Sequence, residues 1–477
     1  MSTPVRVRFA PSPTGYLHVG SIRSGLFNWL WARHNDGVFV LRIEDTDRDR
    51  LVEGALEQII AAHDTLGITP DEGPVQGGNF GPYLQSKRLD IYREHAAKLT
   101  ATGALYPCWC SPERLTSLRE AAQAAGTAFK YDRHCLTNPQ SLDLPHVLRF
   151  KVPTEPLIVG WDDDVRGHLE FKSSELDDFV AMKSDGYPTY HFANVVDDHL
   201  MEISHVLRAD EWIPSTPKHL LLFAAFDWKP PIYAHLPPVQ GPDGKKKLSK
   251  RDGAQSVQEY IDEGYLPEAL MSFLASLGWN DGTTQEVFTP QELIVKFTLE
   301  RVQKSPAQFD RERLTWINGK FLRNMSLDHL LELSRAFIGN LTGDTTDDYQ
   351  KSVLALVQER VKFLAELPEL VDFFYIDPKS ISQTELTKHF DAPTAKAHLE
   401  AVRDLLSMVS NEAWNEAAIE APIRIFVAEN ELKTGQLFTI IRVAVTGRTA
   451  APGLFETLAV LGRERSLSRL DKAVKTL

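Results

Sequence analysis

The sequence predicts an α/β protein built on a doubly wound parallel sheet, with an inserted α/β domain and an all-helical C-terminal region. Three observations predict it. Strand-like and helical patterns alternate through the first 66 residues, the texture that gives parallel sheets. From about residue 91 to 190 the texture changes, with three cysteines, scattered prolines and Asp162-Asp163-Asp164. After Phe321 the pattern is helical throughout. At 477 residues the chain is too long for one core, since single domains rarely exceed about 250 residues, so three or more domains are expected.

Val5-Arg6-Val7-Arg8-Phe9 alternates with a period of two and reads as the first strand, and the turn formers Ala10-Pro11-Ser12-Pro13-Thr14-Gly15 follow it. Beyond Gly20, Ile22, Leu26, Phe27 and Leu30 keep helical spacing until Asn35-Asp36-Gly37 stops them. Val38 to Ile43 reads as a buried strand, and Glu53 to about Leu66 as a second helix. The ligand site of such a sheet lies at the carboxyl ends of its strands, where the Pro-rich turn and Glu44-Asp45-Thr46-Asp47 both fall. Phe192 to His199 and His205 to Asp210 are short apolar runs ending in polar clusters, read as the return to the sheet. Gly241 to Gly253 is a glycine-flanked, densely basic loop, and Thr342 to Asp348 a linker-like break. There is no internal repeat and no low-complexity tract.

Composition narrows the class. Hydrophobic residues are 43% and charged residues 25%, which excludes a disordered or fibrous chain. With 52 basic and 65 acidic residues the net charge is −13, which argues against non-specific coating of nucleic acid but leaves room for a local basic groove. Cys108, Cys110 and Cys135 are an odd number in one short region, which excludes a disulfide scaffold and favours a reducing, cytoplasmic setting. No signal-peptide pattern follows Met1. The longest apolar stretch, Leu220 to Phe226, falls far short of the roughly 20 residues that span a bilayer, so no membrane association is expected.

Two segments carry chemistry. Pro11-Ser12-Pro13-Thr14-Gly15-Tyr16-Leu17-His18-Val19-Gly20-Ser21 feeds a strand into a helix, which exposes amide groups and a helix N-terminus to phosphate. His18 beside it suits a hydrogen bond to a charged transition state. The spacing is neither a Walker loop nor a dinucleotide fingerprint. A tight turn with a surface histidine is the alternative reading of this segment alone. Lys245 to Arg251 places five basic residues among seven positions, suited to a departing pyrophosphate. Taken alone it reads better as a solvated basic loop or a nucleic-acid patch. The two segments in this order, about 230 residues apart, favour nucleotide chemistry.

The pair resembles the class I aminoacyl-tRNA synthetases, with His18-Val19-Gly20-Ser21 in place of their HIGH motif and Lys247-Leu248-Ser249-Lys250-Arg251 in place of KMSKS. Within that class the chain resembles the glutamyl-tRNA synthetases of bacterial type. The blocks that carry this are Arg8 to Gly15, Arg42-Ile43-Glu44-Asp45-Thr46-Asp47, Ser184 to Tyr190, Asn194 to His199, Phe309-Asp310, Trp316 to Lys320 and Arg442 to Gly447. They run through nearly the whole chain.

The resemblance implies the ATP-dependent conversion of L-glutamate to glutamyl-adenylate and its transfer to the 3′ end of tRNA-Glu. It implies Arg8 and Arg208 on the substrate carboxylates, Glu44 on its ammonium, and Ser12, Tyr190 and Asn194 as remaining contacts. A guanidinium fork suits a carboxylate and a carboxylate suits an ammonium, whereas either arginine alone reads as a surface ion pair and Glu44 alone as an ordinary strand-end carboxylate. His18, Gly20, Glu211, Trp212, Lys247, Ser249 and Lys250 are expected around ATP and its Mg²⁺. Of these His18 and Lys250, supported by Lys247, are the expected transition-state contacts.

Some members of the family hold zinc in the inserted domain, and Cys108, Cys110 and Cys135 suit that metal. The usual fourth ligand position is Thr137 here; a related group of these enzymes uses a tyrosine at this spacing, which makes Tyr131 the first choice and His134 the second. Reduced cysteines packing a small domain without metal are the alternative. Arg360 falls where discriminating enzymes read the last anticodon base, so discrimination against tRNA-Gln is expected, with a non-discriminating enzyme as the alternative. From Phe438 to Leu477, seven Lys/Arg face three Asp/Glu, a surplus read as a solvated face or a tRNA contact. The implied layout is a Rossmann-type catalytic domain in two parts (1–90 and 191–244), a connective, acceptor-binding insertion (91–190), a stem-contact domain with the basic loop (245–323) and helical anticodon domains (324–380 and 381–477). A monomer is the family expectation.

Three competitors are weaker. A glutaminyl enzyme is expected to show a Pro-Glu-Pro-Asn type turn and a β-rich C-terminal region, neither of which is present. The truncated paralogue that modifies queuosine in tRNA lacks the anticodon region. An RNA-binding protein with a degenerate nucleotide-binding fold has no need of Arg8, Glu44 and Arg208 together.

Overall fold

The computed structural model describes residues 4–17, 19–155, 157–241, 243–244, 248 and 255–477. Contacts divide the chain into two compact units, Met1–Ile261 with Pro267–Arg311, and Asp262–Leu266 with Glu312–Leu477.

The first unit is the α/β part. Strand β1 (Arg6–Phe9) leads through the Pro-rich turn into helix α1 (Val19–His34), and the chain returns as β2 (Val38–Leu41), parallel to β1 with Arg8 opposite Val40. The Asn35-Asp36-Gly37 stop works through close approach, because a Cβ on Gly37 would sit 2.3 Å from the Val5 carbonyl oxygen. Leu26, Phe27 and Leu30 of α1 are wholly buried, each worth roughly 1.5–3 kcal/mol of burial. Helix α2 (Ala55–Thr65) follows, then α3 (Leu89–Ala101).

The next segment holds β3 (Leu105–Cys108), α4 (Pro112–Ala124), the single-turn α5 (His134–Thr137), β4 (Val147–Phe150), β5 (Ile158–Asp163), β6 (Gly167–Lys172) and β7 (Val180–Met182). Strands β3, β4 and β7 form an antiparallel sheet. Its Leu105, Phe150 and Met182 share a core with Tyr92 and Leu99 of α3. The β5–β6 hairpin joins a different sheet, of order β6-β5-β9-β8, with β8 (His205–Ala209) and β9 (Ile232–Leu236). Strand β8 pairs parallel with β9, placing Arg208 beside His235, and β5 meets β9 in parallel at Asp163 and Tyr233. Ser204, just before β8, exchanges hydrogen bonds with Arg6 of β1. Helix α7 (Thr216–Ala225) lies between β8 and β9 in the chain, and the short β10 (Val239–Gln240) pairs parallel with β11 (Ala307–Gln308).

One expected return to the sheet is different in kind. Residues 190–200 form a helix, α6 (Tyr190–Leu200), and only the following β8 is a strand. Phe192, Val195 and Val196 keep helical spacing and are wholly buried, while Asn194 and Asp198, four apart, share another face. The two β-branched valines in so short a run hide that period.

Every element of the second unit is helical. Helices Leu327–Thr342, Asp347–Val357, Ala392–Ser407 and Glu416–Glu429 start at Ser326, Thr346, Asp391 and Asn415, whose side chains accept hydrogen bonds from backbone N–H groups of the first turn. The Thr342–Asp348 break is thus the gap between two capped helices. Arg469 is buried and donates to the Val445 and Ile376 carbonyls and to Asp377, which crosslinks three segments. Arg448 pairs with Asp372, Arg463 binds the Ser407 and Val409 carbonyls, and Arg465 binds the Phe374 carbonyl. Much of the C-terminal basic surplus is therefore spent holding this unit together.

Candidate active site

A cavity of about 910 Å³ opens in the first unit at the carboxyl ends of β1, β2 and β8. Its walls include Arg8, Ser12, Glu44, Tyr190, Asn194 and Arg208, the six residues expected around glutamate, and Gly20, Glu211 and Trp212 of the nucleotide set. These nine come from the end of β1, the Pro-rich turn, the start of α1, the segment after β2, α6, the end of β8 and the short turn that follows it. His18, Lys247, Ser249 and Lys250 lie outside the described residues.

The floor under Glu44 is an alternating lattice of buried charge. Arg8 donates to Asp198 from Nε at 2.9 Å and Nη2 at 3.3 Å. Arg42 donates to the same carboxylate at 2.8 Å and approaches Glu44 at 3.5 Å. Arg88 donates to Asp197 at 2.7 Å, where Gln85 and Tyr92 also donate. Three arginines thus oppose Glu44, Asp197 and Asp198. Burial works against the charged form of Asp198, but Arg8 and Arg42 outweigh it and hold the carboxyl below its ordinary value. Glu44 is the opposite case. Its burial outweighs Arg42, Arg8 and the Asn194 hydrogen bond, so its pKa is raised. A carboxylate in that state is stabilised by an arriving ammonium.

Arg208 is held differently. Its Nε donates to His235 Nε2 at 3.1 Å, Nη1 to the Tyr190 hydroxyl at 3.1 Å and to His219 Nδ1 at 3.3 Å, and Nη2 to Thr216 at 2.8 Å and the Trp212 carbonyl at 3.4 Å. A guanidinium has five N–H groups, and all five meet uncharged acceptors. Burial lowers the pKa of His235 and lowers that of His219 far below the ordinary value, so both rings are neutral at pH 7. Among the described residues Arg208 has no carboxylate partner. It is 6% exposed, a buried cation with its charge unspent.

At the nucleotide end, Gly20, Ser21 and Ser24 in the first turns of α1 line the cavity, and a helix N-terminus favours phosphate there. The Trp212 ring packs on Tyr190 at 4.4 Å. Leu248 donates its N–H to the Val239 carbonyl, and Val19 of α1 donates its N–H to the Gln255 carbonyl. Gly20 and Ser21 of the first motif segment and Leu248 of the second, about 230 residues apart in sequence, line the same cavity.

The cysteine cluster lies in the inserted segment. The three Sγ atoms lie within 4.8 Å of one another, and the Tyr131 hydroxyl is 3.3 Å from Cys108 Sγ and 3.2 Å from Cys110 Sγ. His134 is exposed and its ring bonds with Asn138. Arg149 donates to Cys108 and Arg114 to Cys110. Burial opposes the Cys108 thiolate, but Tyr131 and Arg149 outweigh it and lower that pKa, whereas burial beside two other thiols pushes Cys110 up to about 11. Three thiols and a phenol oxygen converging between two guanidiniums are a donor set that fits zinc. In the second unit, Arg360 is exposed, bonds the Ala451 carbonyl at 2.9 Å and acts electrostatically on the half-buried Arg442.

Sequence reasoning missed Asp163, His219 and His235 around Arg208. The available signal was a histidine interrupting the apolar strand Ile232-Tyr233-Ala234-His235-Leu236.

Comparison with known proteins places this geometry. A family model described as "tRNA synthetases class I (E and Q), catalytic domain" matches residues 4–316, and one described as "Anticodon binding domain" matches 327–474. The fold is that of a class I tRNA synthetase. The glutamate–tRNA ligase of Dehalococcoides mccartyi is 47% identical, with 100% of this chain and 98% of that protein covered, and the one of Moorella thermoacetica is 45% identical over 99% and 98%. The crystal structure of a glutamate tRNA ligase from Elizabethkingia meningosepticum in complex with its amino acid superposes with a TM-score of 0.92 at 34% identity, covering 100% of both chains. The chain belongs to the glutamate–tRNA ligases of that class.

Proposed function

We propose that the cavity activates L-glutamate with ATP and passes it to tRNA-Glu. One observation carries the residue assignment: a buried, carboxylate-free Arg208 stands in the same cavity as Glu44, whose pKa burial raises. Arg208 takes a substrate carboxylate in exchange for one of its uncharged acceptors, Arg8 helps while shared with Asp198, and Glu44 with Asn194 takes the ammonium. The side-chain carboxylate of glutamate meets in Arg208 a cation with no carboxylate partner among the described residues, an interaction that the neutral amide of glutamine does not match.

No protein nucleophile is needed. The glutamate α-carboxylate attacks the ATP α-phosphate and pyrophosphate leaves, then a terminal ribose hydroxyl of tRNA takes the glutamyl group and AMP leaves. Rate comes from positioning and charge stabilisation. Trp212, Glu211 and Gly20 hold the nucleotide, Mg²⁺ enters on its phosphates, and His18, Lys247, Ser249 and Lys250 contact the reacting phosphates. The six-segment layout set out from the sequence belongs to this reading, with Arg360 turned to the anticodon and tRNA-Gln rejected.

Cys108, Cys110, Cys135 and Tyr131 would hold zinc, which fastens α5 to the end of β3. Zinc binding releases protons from these groups. About one equivalent of zinc is expected by metal analysis at pH 7.5, declining at lower pH as the thiols keep their protons. Protein purified without chelator and free of zinc contradicts the site.

Pyrophosphate exchange tests the function. Exchange supported by glutamate in the presence of tRNA-Glu is expected. Exchange with glutamine alone overturns the assignment.

A further inference from the structure

Arg208 does not reach its position alone. Asp163, His235 and Arg208 stand side by side on three neighbouring strands, β5, β9 and β8, near the carboxyl edge of the sheet. All three are buried, at 3%, 0% and 6% exposure. His235 Nδ1 lies 2.5 Å from Asp163 Oδ2, and His235 Nε2 lies 3.1 Å from Arg208 Nε. A carboxylate only accepts and a guanidinium only donates. His235 must therefore carry its proton on Nδ1 and offer a bare lone pair at Nε2. Asp163 is itself fixed by the backbone N–H groups of Val165, Arg166 and His235.

We propose that Asp163 and His235 are positioning residues for glutamate binding, a relay that fixes the His235 tautomer and so aims Arg208 without neutralising it. A carboxylate placed directly on Arg208 would spend the charge that the substrate needs. A neutral imidazole polarised by a distant carboxylate orients the guanidinium and leaves its charge free. Thr216 and His219 hold the other edge, and His219 in turn faces His191, whose pKa burial and then Lys218 and Arg208 hold down to about 3. The proposal rests on Arg208 as a glutamate contact.

Aminoacylation kinetics of the full chain with tRNA-Glu test it. Asp163→Asn donates its amide N–H to His235 Nδ1, which drives the proton to Nε2 and sets donor against donor at Arg208. His235→Phe removes the acceptor, and His235→Gln restores one. The glutamate KM is expected to rise about 10- to 100-fold in D163N and H235F, the range for a lost hydrogen bond to a charged group, with the ATP KM unchanged. H235Q is expected to recover most of the loss, and D163N to add little on that background. A merely structural pair would lower thermal stability and kcat while leaving the glutamate KM alone. That result, a parallel rise in the ATP KM, or H235Q as impaired as H235F overturns the relay. Arg208→Gln separates the two layers. If R208Q raises the glutamate KM and D163N with H235F does not, the relay fails alone. If R208Q leaves that KM unchanged, the site assignment fails as well.

Discussion

At the scale of single residues, the cavity works by distributing charge unequally over similar groups. Asp198 sits between two arginines and stays ionised, whereas burial keeps the Glu44 pKa high. The two signs lead to opposite pH behaviour. Asp198, depressed in the fold, contributes stability that is present above the unfolded carboxylate pKa and lost as pH falls through its folded value. Glu44, raised in the fold, favours the folded apo-protein at low pH, an effect lost as pH rises through its folded value. In the proposed role at the substrate ammonium Glu44 must be ionised, so the glutamate KM should climb as pH falls, starting above the ordinary carboxylate pKa of about 4.3. Glu44→Gln should raise the KM and flatten that climb; a climb that persists in E44Q contradicts the role. Arg8 and Glu44 were legible as cavity residues because each lies in a motif block at the end of a strand, and Arg208 through the family resemblance alone. Asp163 and His235 were not, because 72 residues separate them and only strand pairing brings them together.

At the scale of elements, the legible parts were those with local punctuation. The strand, turn, helix and strand over residues 5–43 carried their own stop at Asn35-Asp36-Gly37, and the helical break at Thr342–Asp348 carried a cap at Thr346. Helix α6 was misread because its two faces are both functional: Phe192 and Val196 go to the core, Asn194 and Asp198 to the site. The β5–β6 hairpin gives no local sign of joining β9. Ser326→Ala removes the cap of Leu327–Thr342 and should cost about 1 kcal/mol in denaturant unfolding. Arg469→Met should cost about 2–3 kcal/mol by orphaning two carbonyls that a charged donor now serves. Equal stability of R469M and wild type contradicts the crosslinking role of that arginine.

At the scale of the whole molecule, a net charge of −13 belongs to a protein whose partner is a polyanion. The sites that meet tRNA must therefore be local, and several C-terminal arginines are already committed to internal bonds. The tRNA KM should rise at least about 10-fold between roughly 50 and 200 mM salt. The glutamate KM should barely move, since buried pairs are screened much less. No helix is long and apolar enough to cross a membrane among the described residues. The measurement that tests the central claim most directly is glutamate charging of purified tRNA-Glu by wild type and Arg208→Gln side by side. Charging by the wild type, with the glutamate KM raised roughly 100-fold in R208Q, is the expected result. No charging of tRNA-Glu by the wild type, or the same glutamate KM in both proteins, contradicts it.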